Sequence, residues 1–370
     1  MNGVICGYGV VGKGIEILAK PLKDIQIKYV YVRKEKEKLP YFTNSEDIVI
    51  QDDIDIVFEC LNGLEPANTL IQKALKAKKH VITSNKAVVA TYLDTYLQLV
   101  EEYGGSIQVE ACVAGGIPFI DGLLKLKRLE KLEGYEGIFN GTSNYILDCM
   151  QKEHLDFNDV LKDAQEKGYA EKDPTNDIDG IDVYYKTKIA NSIAFNTSIV
   201  DIPYFTGIRT INKLDIQFAK MNHKIIRHVS ISRQVDDKII SIIAPACLDP
   251  SDFLSIVPSN YNAQKIIAKS FDTLGYYGQG AGQLPTAQAM MQNALDTLEN
   301  KERKITYTST KKFDPSLIQL DWIVRSHIDI SKYYPIKKKE ENYYWITNQD
   351  MSIIKKVKEL DKDSFIAMWR

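Results

Sequence analysis

Residues 3–12 read Gly3-Val4-Ile5-Cys6-Gly7-Tyr8-Gly9-Val10-Val11-Gly12 (GVICGYGVVG). A short apolar run stops at a Gly-x-Gly-x-x-Gly turn, and Lys13 to Ala19 then follows helical periodicity. Between a strand and a helix, such glycines let the backbone turn tightly and approach a pyrophosphate, which the helix N-terminus stabilises. Gly7, Gly9, Val10, Val11 and Gly12 are the expected dinucleotide contacts; a glycine turn with no ligand is the alternative. A second apolar run at Ile25–Val32 (IQIKYVYV) completes a strand–helix–strand unit.

About 20 residues beyond the glycines, sites for NAD usually offer Asp or Glu to the ribose hydroxyls. This chain offers Arg33 and Lys34. A cation suits a 2′-phosphate, so the sequence predicts NADP(H) over NAD(H), with Arg33 as the main contact. For Lys34, Lys36 and Lys38 the competing reading is a solvated basic loop.

The alternation continues outward. Asp55–Cys60 (DIVFEC) reads as a buried strand, Pro66–Lys78 as a helix, His80–Thr83 (HVIT) as a strand and Tyr92–Tyr103 as a helix. Such alternation predicts a parallel sheet with right-handed crossovers. Ligands then lie beyond the carboxyl ends of the strands, where Asn62 and Lys86 fall. In residues 106–120 (SIQVEACVAGGIPFI), Glu110 with the carbonyls of Val113, Gly115 and Ile117 has the donors for a hard cation such as sodium. A plain glycine turn is the alternative there.

A second dense stretch runs from Gly168 to Lys188 (GYAEKDPTNDIDGIDVYYKTK). A helix is expected from near Gly180, placing Asp182 and Lys186, four residues apart, on one face. With Glu171 from the preceding loop, two carboxylates and an ammonium can hold a substrate amine and move a proton. The bland reading is a solvated acidic loop and a surface Asp–Lys pair. Asn140, Thr142, Ser143 and Asn144 crowd another turn and suggest a polar pocket wall, with Ser143 or Asn144 capping a helix over Tyr145–Gln151. Strands at His228–Val235 and Ile239–Ala246 favour an antiparallel sheet. Residues 274–287 (LGYYGQGAGQLPTA) read as a second glycine-rich loop feeding a helix that returns to the nucleotide domain.

Composition bounds the rest. At 370 residues the chain exceeds one ordinary core, so two domains with an appendage are expected. A hydrophobic share of 44% with 26% charged residues is that of a globular protein. A net charge of -2 gives no electrostatic reason to expect nucleic acid. No apolar run is long enough to span a membrane. Residues 1–6 pass straight into a strand, leaving no room for a signal peptide, and the five scattered cysteines lack CxxC spacing. The expected location is the cytoplasm, with reduced core thiols and no zinc site.

Taken in order, GYGVVG, TSNKA, EACVAGGIP, GIFNGTSNYIL, GYAEKDPTNDIDGIDVYYK and GAGQLPTA make the chain resemble homoserine dehydrogenase from Met1 to about Asn300. The resemblance implies interconversion of L-aspartate 4-semialdehyde and L-homoserine with a nicotinamide cofactor, on the route to threonine, methionine and isoleucine. It implies a homodimer whose subunits carry a split nucleotide domain and an α+β substrate domain. Glu171 and Asp182 would hold the substrate amino group, and Lys186 would protonate the aldehyde oxygen. Gly168 and Gly282 would lie against the cofactor, Lys86 near its reactive end, and sodium in the 110–117 loop.

The expected architecture is therefore α/β. A Rossmann-type domain spans 1–122 with a returning helix at 284–300, a substrate and dimerisation domain spans 123–283, and 301–370 forms a linker and a short α/β tail. Two departures stand out. Tyr184 and Tyr185 are bulkier than the small residues usual before the lysine. Residues 329–341 (DISKYYPIKKKEE) lack glycine and an apolar helical face, so the tail reads as a shortened relic of a βαββαβ regulatory module that does not bind threonine. The competing functions are reduction of another amino-acid semialdehyde or oxo acid, and a non-catalytic dinucleotide-binding regulator.

Overall fold

The computed structural model describes residues 1–36, 39–307 and 309–370, so Lys38 of the basic loop lies outside the described residues. The chain forms two compact units.

The first unit comprises residues 1–130, 188–199 and 279–310. Its sheet contains β1 (Asn2–Cys6), β2 (Gln26–Tyr31), β3 (Phe42–Thr43), β4 (Ile56–Glu59), β5 (His80–Thr83) and β6 (Ser106–Gln108). They stand in the order β3-β2-β1-β4-β5-β6, and each adjacent pair is parallel. Strands this short and rich in Val and Ile suit a sheet buried on both faces. Ile5, Val30, Ile56, Phe58 and Ile82 fill its core together with Ile15 and with Ala287, Met290 and Ala294 of the helix Gln283–Leu298. That late helix crosses Val10–Ala19 so closely that a Cβ on Gly14 would lie 2.7 Å from the Gln283 carbonyl. The chain reverses direction across the sheet between β1 and β4, and the carboxyl ends of those strands are the expected ligand crevice.

The second unit comprises residues 131–187, 200–278 and 311–370. Its strands are β7 (Gly134–Ile138), β8 (Ile225–Val235), β9 (Lys238–Leu248), β10 (Tyr261–Ala268), β11 (Asp272–Gln279), β12 (Lys312–Phe313), β13 (Leu320–Arg325), β14 (Ile336–Glu340), β15 (Tyr343–Gln349) and β16 (Phe365–Trp369). They form one sheet ordered β11-β10-β7-β8-β9-β16-β13-β15-β14, with β12 also on β9. The pairs around β7, β8 and β10 are antiparallel, whereas β9–β16 is parallel. Helices Gly141–Glu153 and Lys213–Met221 pack a core that includes Ile146, Phe218, Trp345 and Phe365.

Three readings change. Residues 274–279, expected as part of a glycine loop, lie in β11, because an edge strand with mostly exposed positions needs no apolar pattern. The helix expected over Tyr145–Gln151 begins at Gly141 and is capped by Asn140, whose side chain accepts the Ser143 N–H at 2.7 Å. Residues 311–370 are no separate tail body. The pairing of Met368 with Ala246 and Trp369 with Cys247 makes their strands a continuation of the larger sheet.

Candidate active site

The glycine turn has the geometry its spacing demands. Gly7 adopts φ +100°, and a Cβ there would sit 2.9 Å from the Cys60 carbonyl. A Cβ on Gly12 would lie 2.1 Å from the Gly7 carbonyl, so the helix could not seat on its own turn. Gly9 differs: no atom lies within 4 Å of its Cβ position. It is the N-cap of Val10–Ala19 and supplies no side chain to the first helical N–H groups. The result is a cradle at a helix N-terminus, open at the one glycine whose bareness the fold itself does not require. That fits a pyrophosphate. Val10 is exposed beside it. The Tyr8 hydroxyl donates to Glu16, as does that of Tyr41 at 3.1 Å, fixing the rim of this turn.

Around the same edge, Arg33 follows β2 as an exposed side chain beside exposed Lys34 and Lys36. Asn62 is exposed in the turn after β4. Lys86 opens the helix Lys86–Tyr103, whose N-cap Asn85 accepts the Val88 N–H at 3.2 Å. Gly282, at φ +129°, is the N-cap of Gln283–Leu298. The Gly115 turn packs on this segment: its Cβ would meet the Gly280 carbonyl at 2.4 Å, and Ala114 and Gly115 both have positive φ.

Glu110 is buried, and its two carboxylate oxygens accept the N–H groups of Ile120 and Asp121 at 3.0 and 2.6 Å. Burial pushes its carboxyl up to about 8, against the pull of those hydrogen bonds. The Val113 N–H bonds the Glu110 carbonyl, and the Ile117 carbonyl accepts the Phe119 N–H at 2.7 Å. Burial penalises the charged form of this carboxyl, a penalty that a bound cation would offset. Among the described residues no group of three or more His, Cys, Asp or Glu is arranged for a metal ion.

In the second unit, Asp182 and Lys186 occupy successive turns of the helix Ile181–Phe195, both buried. The Lys186 ammonium lies 2.7 Å from Asp182 Oδ2 and donates to the Phe139 carbonyl at 2.6 Å. Asn140 Nδ2 donates to Asp182 Oδ2 at 2.9 Å and to Asp177 Oδ1 at 2.7 Å. Two carboxylates and an ammonium are thus assembled, but the second carboxylate held there is Asp177. Glu171 is exposed in its loop, where its carbonyl accepts from Gln165. Gly168, at φ +75°, is exposed at the start of that loop.

Backbone and side-chain contacts hold the segment that leads into this helix. The Ile178 carbonyl accepts from the N–H groups of Ile208 and Arg209, and a Cβ on Gly207 would lie 2.0 Å from it. Arg209 grips Asp179 with two bonds of 2.6 and 2.8 Å. Tyr184 does not narrow the pair: its hydroxyl donates to Asp201 and its ring stacks on Phe205. His228 of β8 bonds the Thr206 carbonyl at 3.0 Å. Burial holds it down to about 4, opposed by that bond and the nearby Asp182 charge, so the imidazole is neutral.

The sequence identifies Asn140 only as part of a pocket wall and gives no separate weight to Asp177. The signal was present: Asn140 lies two residues past the end of β7 and Asp177 five residues before Asp182, but their meeting depends on tertiary packing.

A parallel sheet with an open glycine cradle, together with a buried lysine–carboxylate pair, defines an NAD(P)-dependent oxidoreductase. The chain matches the family described as "Homoserine dehydrogenase" over residues 118–295 and "Homoserine dehydrogenase, NAD binding domain" over residues 7–110. It is 33% identical over 353 residues to the homoserine dehydrogenase of Lactococcus lactis, covering 90% of this chain and 82% of that protein. Against that of Synechocystis it is 35% identical over 312 residues, covering 79% and 72%. The crystal structure of a homoserine dehydrogenase from Thiobacillus denitrificans aligns with TM-score 0.86 at 26% identity, covering 100% of this chain and 98% of that one. The chain belongs to the homoserine dehydrogenase family, and its reaction interconverts L-aspartate 4-semialdehyde and L-homoserine in amino-acid biosynthesis.

Proposed function

We propose that Lys186 delivers the proton to the carbonyl oxygen of L-aspartate 4-semialdehyde, and that NADP(H) is the preferred cofactor. The observation that carries this reading is the buried ammonium held 2.7 Å from Asp182 and 2.6 Å from the Phe139 carbonyl. When bound, the dinucleotide supplies or receives the hydride. Negative charge then develops on the carbonyl oxygen, and an ammonium within hydrogen-bond reach lowers the barrier. Asp182 binds the substrate amino group, with Glu171 as the loop carboxylate. Asn140 and Asp177 fix the Asp182 carboxylate in place.

Gly7, Gly9, Val10, Val11 and Gly12 would receive the pyrophosphate, and Arg33 a 2′-phosphate. Asn62, Lys86, Gly168 and Gly282 complete the cofactor contacts. Glu110 with the carbonyls of Val113, Gly115 and Ile117 would take sodium. The working unit is a cytoplasmic homodimer acting on a small molecule, without nucleic-acid or membrane partners. No helix among the described residues is long and apolar enough to cross a membrane. The test is oxidation of NADPH by the purified protein with aspartate semialdehyde, repeated with NADH. Equal or better use of NADH overturns the cofactor preference; absence of turnover with both overturns the proposed chemistry.

A further inference from the structure

We propose that Glu59 is a positioning residue for the dinucleotide site, tying the turn after β4 to the turn after β5 and so setting where Asn62 and Lys86 stand. This rests on the reading that the carboxyl edge of the parallel sheet holds the cofactor. Glu59 is the last residue of β4 and is wholly buried. An isolated buried carboxylate is costly, and one that persists needs partners that justify its place.

Those partners lie on both turns. Glu59 Oε1 accepts the Leu61 N–H at 2.7 Å, holding the turn that carries Asn62. Glu59 Oε2 accepts the Thr83 hydroxyl at 2.5 Å, across the pair of strand ends that β4 and β5 bring into register. Thr83 Oγ1 in turn accepts the Asn85 N–H at 3.0 Å. Asn85 closes the circuit: its Nδ2 donates to the Gly63 carbonyl at 2.8 Å while its Oδ1 caps the helix that begins at Lys86. The two turns are thus joined twice, once through the carboxylate and once through the asparagine.

The arrangement favours an ionised carboxylate. Both oxygens face donors, and Thr83 already accepts from Asn85. A glutamine at this position would keep one acceptor for the Leu61 N–H but lose the charge and turn the Thr83 hydroxyl from donor to acceptor. Burial pushes the Glu59 carboxyl up to about 7, with the Thr83, Leu61 and Asn85 bonds opposing it. The groups facing it from neighbouring elements are the Cys6, Cys60 and Cys112 thiols and the Tyr96 phenol, all pushed up by burial and by the Glu59 charge and therefore neutral. The ammonium of Lys86 acts on Cys112 from the same edge. The full set of acceptors is present above about pH 7 and is lost as pH falls through that value.

The experiment measures NADPH dissociation constants by fluorescence, with cofactor KM and kcat, between pH 6 and 8.5. It compares the unaltered protein with Glu59→Gln and Thr83→Val. At pH 8, Glu59→Gln weakens NADPH binding about tenfold or more, the scale of hydrogen bonds to a charged group, and KM rises more than kcat falls. The ratio of variant to unaltered Kd shrinks toward one as pH falls below 7; titration of the ligand cancels in that ratio. Thr83→Val shifts binding in the same direction, and it carries the test if Glu59→Gln does not fold. A merely structural role predicts a lower Tm with Kd within twofold at every pH, and that result overturns the proposal. An unaltered protein that binds no dinucleotide overturns the underlying cofactor reading instead.

Discussion

Lys186 Nζ lies 2.7 Å from Asp182 Oδ2, and the two side chains are only 7% and 3% exposed as residues. An exposed pair at this spacing would contribute a few tenths of a kcal/mol; a buried one costs about 3–5 kcal/mol when one partner is removed. Lys186→Ala should therefore lower both Tm and turnover, and the two effects are separable. Assayed well below its Tm, the folded variant should lose about a hundredfold or more in kcat, the scale of an acid–base group. A near-normal kcat excludes Lys186 from proton transfer.

Asn140 links Asp182 to Asp177 and also caps the helix Gly141–Glu153. Asn140→Ala removes both roles. Loss of the cap costs about 1 kcal/mol in stability. Loss of the bridge should raise the KM for aspartate semialdehyde about tenfold, since an oriented carboxylate is what the substrate ammonium meets. Asn140→Ser retains a capping oxygen but not the reach to both carboxylates. It should recover most of the Tm and little of the KM. Recovery of both would assign Asn140 to helix capping alone.

The glycine turn separates fold from ligand. Gly12→Ala drives a Cβ to 2.1 Å from the Gly7 carbonyl and should unfold or distort the turn. Gly9→Ala meets nothing within 4 Å. Its Tm should stay within a few degrees of the parent, while NADPH affinity falls at least about tenfold because the methyl occupies the approach of the pyrophosphate. Isothermal titration calorimetry on Gly9→Ala decides this. Undiminished binding would mean that the cradle is not the pyrophosphate site.

How much was legible follows from what each signal depends on. Gly7 and Gly12 are required by local sterics, so their spacing announced the parallel unit. Asp182 and Lys186 share a helix, so their meeting needed only the helical repeat. Glu171 and Asp177 could not be ranked this way, because the choice depends on how the 169–180 loop folds back on Asn140. β11 was missed for a related reason: in DTLGYYGQ an edge strand exposes most of its residues, and Gly and Tyr leave no period-two signature. The tail's place in the sheet rests on pairs between residues more than a hundred positions apart, such as Met368 and Ala246.

Glu110 gives a prediction in pH and salt. Burial pushes its folded carboxyl up to about 8, from 4.5 for the ordinary group. The folded state therefore holds a proton that the unfolded state has released between those values, so this residue's contribution to stability falls as pH rises from about 4.5 to 8 and then levels. Glu110→Gln should flatten that slope in a Tm-versus-pH series. A bound cation would offset the cost of the charge. Sodium chloride should raise the Tm at pH 8 more than choline chloride of equal ionic strength, and not in Glu110→Gln. Equal effects of the two salts would remove sodium from the site.

The C-terminal strands make a last test, because they are tied in by buried polar groups as well as by pairing. Arg325 Nε bonds Asp215 Oδ1 at 2.7 Å, and the Tyr343 hydroxyl donates to the same oxygen at 2.9 Å. The Tyr343 ring stacks on Phe218 at 3.8 Å between centroids. Near the other end of the sheet, burial alone would raise Glu136, but Arg370, Arg233 and Lys265 hold it down to about 2. Arg325→Ala would strand the Asp215 carboxylate and should cost about 3–5 kcal/mol. Deleting residues 311–370 would bare the β9 edge that β16 covers, leaving the second unit aggregated or unfolded. Between β13 and β14 there is only a short turn at Ile330–Lys332, where a βαββαβ module would place its first helix. Millimolar threonine should therefore leave the turnover of the full chain unchanged. Strong inhibition, or a soluble and active 1–310 fragment, would show that these strands serve regulation rather than the integrity of the sheet.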